Sequence, residues 1–143
     1  MRKLEFAAKE MHPPKLFGPE KAEITYFCWG STYGPLREAV ERINESKKAS
    51  ANLYHIVDMW PFPSAKVAQI IDQARTTIVV EGNFTGHLYH LIRAYAGRTP
   101  KYSIRRYDGR PFSPEYILSK TAKLIQNFPI DLNTPTPVVV ERR

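Results

Sequence analysis

A single cysteine, Cys28, stands among the 143 residues. It excludes an internal disulfide and an all-cysteine metal site. It lies inside an apolar run, where a buried, inert thiol is the ordinary reading and a reactive or sulfur-ligand role the sharper one. There is no apolar run of about 18 residues, so no membrane span is expected, and Met1-Arg-Lys-Leu-Glu-Phe6 lacks the apolar stretch of a signal peptide. With the near-absence of cysteine, these features point to a cytoplasmic protein. No run approaches the about five or six like charges of a solvated tail. The net charge of +7 is instead spread over Arg37, Arg42, Lys47 and Lys48, then Lys101, Arg105, Arg106 and Arg110, then Arg142-Arg143. This dispersion favours a solvated surface, or a face that meets an acidic subunit, over a nucleic-acid groove. No internal repeat is present.

The 43% hydrophobic content is enough for one domain with a real core. Residues 1–21 contain Met11-His-Pro-Pro-Lys15 and Gly18-Pro-Glu20, steps that resist regular structure. They are read as a linker arm that joins a further domain or wraps a partner. An α/β domain is expected over residues 22–126. Its strands are Ala22–Cys28, Asn52–Val57, Thr76–Val80 and a more polar edge strand, Lys101–Tyr107. The first helix, from Tyr33 or Gly34 to Ser46, buries Leu36, Ala39, Val40 and Ile43 at three- and four-residue spacing and turns Arg37, Glu38, Glu41 and Arg42 to water. The second carries Val67, Ile70, Ile71 and Ala74. The third, over residues 84–96, is expected to align Phe84, Leu88, Leu91, Ile92 and Tyr95. The last starts at a Ser113 cap with Pro114 in its first turn and buries Ile117, Leu118, Thr121, Leu124 and Ile125. Residues 127–143 form a proline-rich tail in which Val138–Val140 could add an edge strand. Four strand–helix alternations imply a three-layer α/β/α domain with a mainly parallel sheet.

In such a sheet the strand-end turns collect on one edge, where functional sites usually lie. Gly30-Ser-Thr-Tyr-Gly34 lacks the G-x-G-x-x-G dinucleotide spacing and the Gly-Lys-Ser/Thr of a P-loop. Ser31 or Thr32 could cap the next helix, and Gly30 and Gly34 permit close approach of a backbone or an anion. Trp60 and Phe62, framed by Pro61 and Pro63, form a rigid aromatic knob that suits either a partner surface or the local core. Glu81, Gly82 and Asn83 leave a core strand together, ahead of Gly86. Glu81 could serve as a general acid or base if partly buried, bond the helix amides at Thr85–Gly86, or reach the neighbouring strand-end loop. His87 and His90 share a helix face, but no further ligands stand at a metal-site spacing. Serine-hydrolase, cysteine-protease and zinc-site patterns are all missing.

Taken in order, Cys28-Trp-Gly-Ser-Thr-Tyr-Gly34 with Glu38-Ala-Val40, Trp60-Pro-Phe-Pro63, Ile78-Val-Val-Glu-Gly-Asn83 with Gly86, and Tyr107-Asp-Gly-Arg-Pro-Phe112 resemble the carboxy-terminal domain of the alpha subunit of 2-oxoacid:ferredoxin oxidoreductases, nearest the 2-oxoglutarate type. Arg2-Lys-Leu-Glu5 and Gly18-Pro-Glu20 resemble the linker before it. The resemblance covers about residues 1–120 and implies a transketolase C-terminal-like fold. It also implies an assembled enzyme that oxidatively decarboxylates a 2-oxoacid to acyl-CoA and reduces ferredoxin. That enzyme would use thiamine diphosphate, magnesium and iron–sulfur clusters, with a beta subunit and a gamma domain as partners. No cofactor is expected in this domain alone. One cysteine cannot hold a cubane cluster, and the thiamine fingerprint, a Gly-Asp-Gly followed by an Asn-Asn, is missing. The resemblance therefore implies a non-catalytic interface domain, in which Gly30, Ser31, Thr32, Gly34, Trp60, Pro61, Phe62, Pro63, Glu81, Gly82, Asn83 and Gly86 shape one edge and position neighbouring domains. The competing expectation from the residues is an independent flavodoxin-like module for a small ligand or nucleotide.

Overall fold

The computed structural model describes residues 12–129. The expected strand between residues 138 and 140, and the parts of the arm and tail at residues 1–11 and 130–143, lie outside the described residues.

Five strands form one sheet in the order β1-β3-β2-β4-β5. They are β1 (Lys15–Phe17), β2 (Ile24–Trp29), β3 (Ala51–Ile56), β4 (Thr76–Glu81) and β5 (Tyr102–Arg105). The pairs β3–β2, β2–β4 and β4–β5 are parallel, and β1 is antiparallel to β3. The described fold is thus α/β with a mixed, mostly parallel sheet. β1 lies within the segment expected to be an irregular arm. Its Lys15–His55, Leu16–Tyr54 and Phe17–Leu53 pairing is supplied by a distant strand, and a three-residue segment carries no periodicity of its own.

The helices are α1 (Tyr33–Glu45), α2 (Ser64–Gln73), α3 (His87–Leu91, continued by a π-helical turn over Ile92–Ala96) and α4 (Pro114–Leu124). Alternation along the strands sends side chains to two cores. Ile24, Tyr26 and Cys28 meet Leu36, Val40, Ile43, Ile117 and Leu118 of α1 and α4. Phe27, Ile56 and Val79 meet Val67, Ile70, Leu88 and Ile92 of α2 and α3. Burial of such side chains, worth about 1.5–3 kcal/mol each, holds the three layers together. Across the first core, Thr121 Oγ1 donates to the Ile117 carbonyl and accepts from the buried Tyr26 hydroxyl at 2.8 Å. Ser113 caps α4 by accepting from the Tyr116 amide, with Pro114 in the first turn, as the sequence indicates.

Two expected alignments fail on α3. Phe84 lies outside the helix, because Gly86 precedes it at a positive φ of 68°, and Phe84 is exposed. Tyr95 falls in the π-helical turn, whose i→i+5 bonding breaks the 3.6-residue register, and it is also exposed. Arg42, expected to face water, is held between Glu38 at 2.7 Å and Glu115 at 2.9 Å.

Cys28 is fully buried and free. Burial pushes its thiol up from 9.0 to about 12, the inert reading of this residue. The folded state thus holds the thiol protonated where the unfolded chain ionises it. The Cys28 contribution to stability should be complete below about pH 9 and decline as pH rises towards 12, by about 1.4 kcal/mol per unit. Denaturant titrations of the protein and of Cys28→Ala between pH 7 and 11 should diverge in slope only above about pH 9. Parallel slopes would show that the thiol is not protected.

Candidate functional site: the carboxyl edge of the sheet

Because β2, β3, β4 and β5 are parallel, their four carboxyl ends open on one edge. The chain leaves β2 for β3 on one side and later returns to β4 on the other. The topological switch therefore falls between the ends of β2 and β4, the position where open α/β sheets ordinarily leave a ligand crevice.

Here that position is bridged by protein side chains. Glu81, the last residue of β4, is fully buried. Its Oε1 accepts from the Leu88 amide at 2.8 Å, from Asn83 Nδ2 at 2.9 Å and from the Trp29 indole N–H at 3.4 Å. Its Oε2 accepts from the Tyr89 amide at 3.1 Å. Trp29 is the last residue of β2, so one carboxylate joins both strands at the switch to the start of α3. Asn83 completes the turn. Its Oδ1 accepts from the amides of Gly86 at 2.6 Å and His87 at 3.1 Å. The expected bond from Glu81 to the amides at residues 85–86 thus falls three residues further on, because Asn83 takes the earlier donors. The bond to the neighbouring strand-end loop is present through Trp29. A carboxylate closed from solvent and committed to four donors is a structural anion and has no path to a substrate proton.

Gly86 is buried beneath the Arg105 guanidinium, and a Cβ there would lie 2.5 Å from Arg105 Nη2. Gly82 packs beside the Phe112 ring. At the end of β2, Gly30 takes a positive φ of 62° and opens a 3-10 turn, Gly30–Thr32, that runs into α1. Thr32 is buried and Ser31 exposed, and neither side chain caps the helix. The chain enters α1 through the 3-10 turn in helical geometry, so the expected cap is not formed. Gly34 faces open space. His55 stacks on Tyr33 at 4.7 Å. Its partial burial is the main cause that lowers its pKa, opposed by a hydrogen bond to the Gly30 backbone and assisted by Lys15.

The turn after β3 divides the aromatic knob. Phe62 and Pro63 are buried, Phe62 in the core beneath α2 and α3. Trp60 remains 61% exposed and meets the exposed Tyr95 edge-to-face at 5.3 Å. Pro61 between them is partly covered and follows a cis peptide bond. Asp58 of this turn accepts from the His12 amide at 2.7 Å, which fastens the segment before β1 to the same edge and holds the carboxyl below its usual range. After β5, Tyr107 is exposed and packs edge-to-face on Phe84 at 4.9 Å. Tyr95, Tyr107, Phe84 and Trp29 had no assigned place at this edge in the sequence reading. Aromatic residues just past a strand end were the available signal for two of them, Phe84 and Tyr107.

No group of three or more His, Cys, Asp or Glu side chains suited to a metal ion occurs among the described residues. The donor set does not fit an iron–sulfur cluster or a magnesium ion. Its one thiol is buried and held protonated, and the carboxylate at the switch is saturated with donors.

Glu81→Gln keeps the shape but replaces one acceptor oxygen with an N–H group facing donors. It should destabilise the domain by about 2–3 kcal/mol. In native-state hydrogen exchange the Leu88 and Tyr89 amides should lose protection more than the core amides of β2. Unchanged stability and protection would show that the carboxylate does not hold α3.

The family model for pyruvate:ferredoxin oxidoreductase core domain II matches residues 22–117. Among curated proteins, the alpha subunit of 2-oxoacid:ferredoxin oxidoreductase 1 from Sulfurisphaera tokodaii is 30% identical over 130 residues, spanning 89% of this chain and 20% of that subunit. The alpha subunit of 2-oxoacid:ferredoxin oxidoreductase 2 from Aeropyrum pernix is 31% identical over 111 residues, spanning 78% of this chain and 17% of that subunit. The chain thus corresponds to about a fifth of the length of these relatives. Among solved structures, the 2-oxoglutarate:ferredoxin oxidoreductase from Magnetococcus marinus, with 2-oxoglutarate, coenzyme A and succinyl-CoA bound, aligns with a TM-score of 0.77 at 29% identity, over 85% of this chain and 21% of that one. The alpha chain of a probable 2-oxoacid ferredoxin oxidoreductase from Thermoplasma acidophilum aligns with a TM-score of 0.55 at 32% identity, over 78% of this chain and 96% of that one. No helix among the described residues is long and apolar enough to cross a membrane. With the ordered strand-end motifs, these matches establish that the chain belongs to the core domain II family of the 2-oxoacid:ferredoxin oxidoreductase alpha subunits.

Proposed function

We propose that this chain is a non-catalytic interface domain of a cytoplasmic 2-oxoacid:ferredoxin oxidoreductase, with a transketolase C-terminal-like fold. The observation that carries the reading is the contrast within one edge. The polar groups at the topological switch, Glu81 and Asn83, are consumed internally. The apolar groups of the edge, Val57, Trp60, Phe84 and Tyr107, are left exposed. A substrate site would present the reverse, a few free polar groups in an apolar recess. Exposed aromatics on a rigid scaffold suit a protein partner.

In this reading Gly30, Ser31, Thr32, Gly34, Trp60, Pro61, Phe62, Pro63, Glu81, Gly82, Asn83 and Gly86 shape and support the edge. Thiamine diphosphate, magnesium and iron–sulfur clusters belong to the beta subunit, the gamma domain and the other parts of the assembly. The assembled enzyme would oxidatively decarboxylate a 2-oxoacid to acyl-CoA and pass electrons to ferredoxin. The Trp29-Gly-Ser31 and Asp108-Gly-Arg-Pro-Phe112 stretches and the likeness to the Magnetococcus marinus enzyme favour 2-oxoglutarate. Pyruvate is the alternative, named in the family description. The flavodoxin-like ligand module is disfavoured because Trp29 and Glu81 meet across the switch point where its ligand would sit.

Trp60 provides the test. In the isolated chain its emission should be quenched readily by acrylamide. Addition of the cognate beta and gamma components should shift that emission to shorter wavelength and reduce the quenching. Trp60→Phe, which leaves Trp29 alone, should remove most of the change. Complex formation with Trp60 still fully quenchable would place the interface elsewhere.

A further inference from the structure

The charges at the carboxyl edge do not balance. Asp58 is held by His12, Asp108 accepts from Arg106 and from the Arg110 amide, and buried Glu81 is saturated. Arg106 has both its partner Asp108, at 3.1 Å, and the Tyr116 ring beneath it at 4.5 Å.

Arg105 differs. It is the last residue of β5 and points to the α3 face, half-buried. Its Nε donates to Ser103 Oγ at 3.0 Å and its Nη1 to the Phe84 carbonyl at 3.3 Å. No carboxylate lies within 4.0 Å of it among the described residues. Nη2 makes no protein hydrogen bond among the described residues and lies against Gly86, at the start of α3. Two neutral bonds pre-order the guanidinium, so little side-chain freedom remains to be lost on binding. Phe84 carries the carbonyl that orients Arg105, and the ring of Phe84 packs edge-to-face with Tyr107. Both rings are exposed, at 67% and 64%.

We propose that Arg105, Phe84 and Tyr107 form a docking site for an acidic face of another subunit, with a partner carboxylate on the open Nη2 edge and apolar partner atoms on the two rings. Charge decides the occupant. A second copy of this chain, itself at +7, would bring like charge to the patch. An acidic partner supplies the anion that Arg105 lacks. The inference rests on the interface reading and specifies its chemistry.

The test is the affinity of the 143-residue chain for its purified cognate beta and gamma components, measured by interferometry at two salt concentrations. Arg105→Gln and Tyr107→Ala should each weaken binding by about tenfold or more. Arg105→Gln should also flatten the salt dependence, which Tyr107→Ala should leave intact. Tyr107→Ala removes an exposed ring and should leave the melting temperature unchanged, so a loss in that variant is not a folding defect. Binding of the native chain with both variants unaffected would overturn this docking site and leave the interface reading standing. No binding of the native chain to either component would overturn both. Removal of residues 130–143 should leave affinity unchanged or raise it. A loss on that removal equal to the loss in Arg105→Gln would assign the arginine to the chain's own tail and also overturn the proposal.

Discussion

The Glu81 carboxylate is the constraint on which the carboxyl edge depends. A buried charge is tolerable only when its lone pairs are filled, and here two amides, one side-chain amide and one indole fill them. Those donors come from α3, the strand-end turn and β2. The start of α3 is therefore set by one anion, which also ties the strand-end turn through Asn83 and the end of β2 through Trp29. The same bonds span the topological switch. A geometry that in other α/β sheets receives a ligand is converted into a joint.

With the joint closed, the edge offers its surroundings mainly what it does not need itself. Phe62 goes into the core, while Trp60 stays out against Tyr95. Asn83 holds the turn, while Phe84 stays out against Tyr107. Trp60 and Phe84 each stand within two residues of a buried position, Phe62 and Gly86. The surface is rigid without being covered, and such preorganisation limits the entropy lost on association. Membership in a family whose curated relatives are about five times longer supplies the context in which such a surface would be covered.

Much of this was legible from the amino acids. The runs Ile24–Cys28, Asn52–Ile56 and Thr76–Val80 and the stripe Leu36, Ala39, Val40, Ile43 have the periods of buried strands and an amphipathic helix, and they occupy those places. Local signals at Ser113-Pro114 fixed the start of α4. What was not legible depends on contacts distant in sequence. β1 exists only because β3 offers it an edge. Tyr95 left the apolar stripe because α3 ends in a π turn. Glu81 was recognised as a residue of interest with three possible roles, and tertiary geometry selected two of them together, the helix amides and the Trp29 loop. Arg105 was one basic residue among many, and its position over Gly86 without a carboxylate partner among the described residues separates it from Arg106.

The central claim is that this domain contributes surface and not chemistry. Its most direct test is reconstitution of the oxidoreductase from separately purified subunits, with ferredoxin reduction followed in the presence of a 2-oxoacid and coenzyme A. The expected result is no turnover by this chain alone and turnover by the remaining subunits only when the chain is added. Turnover by the chain alone, or full activity of the others without it, would contradict the account.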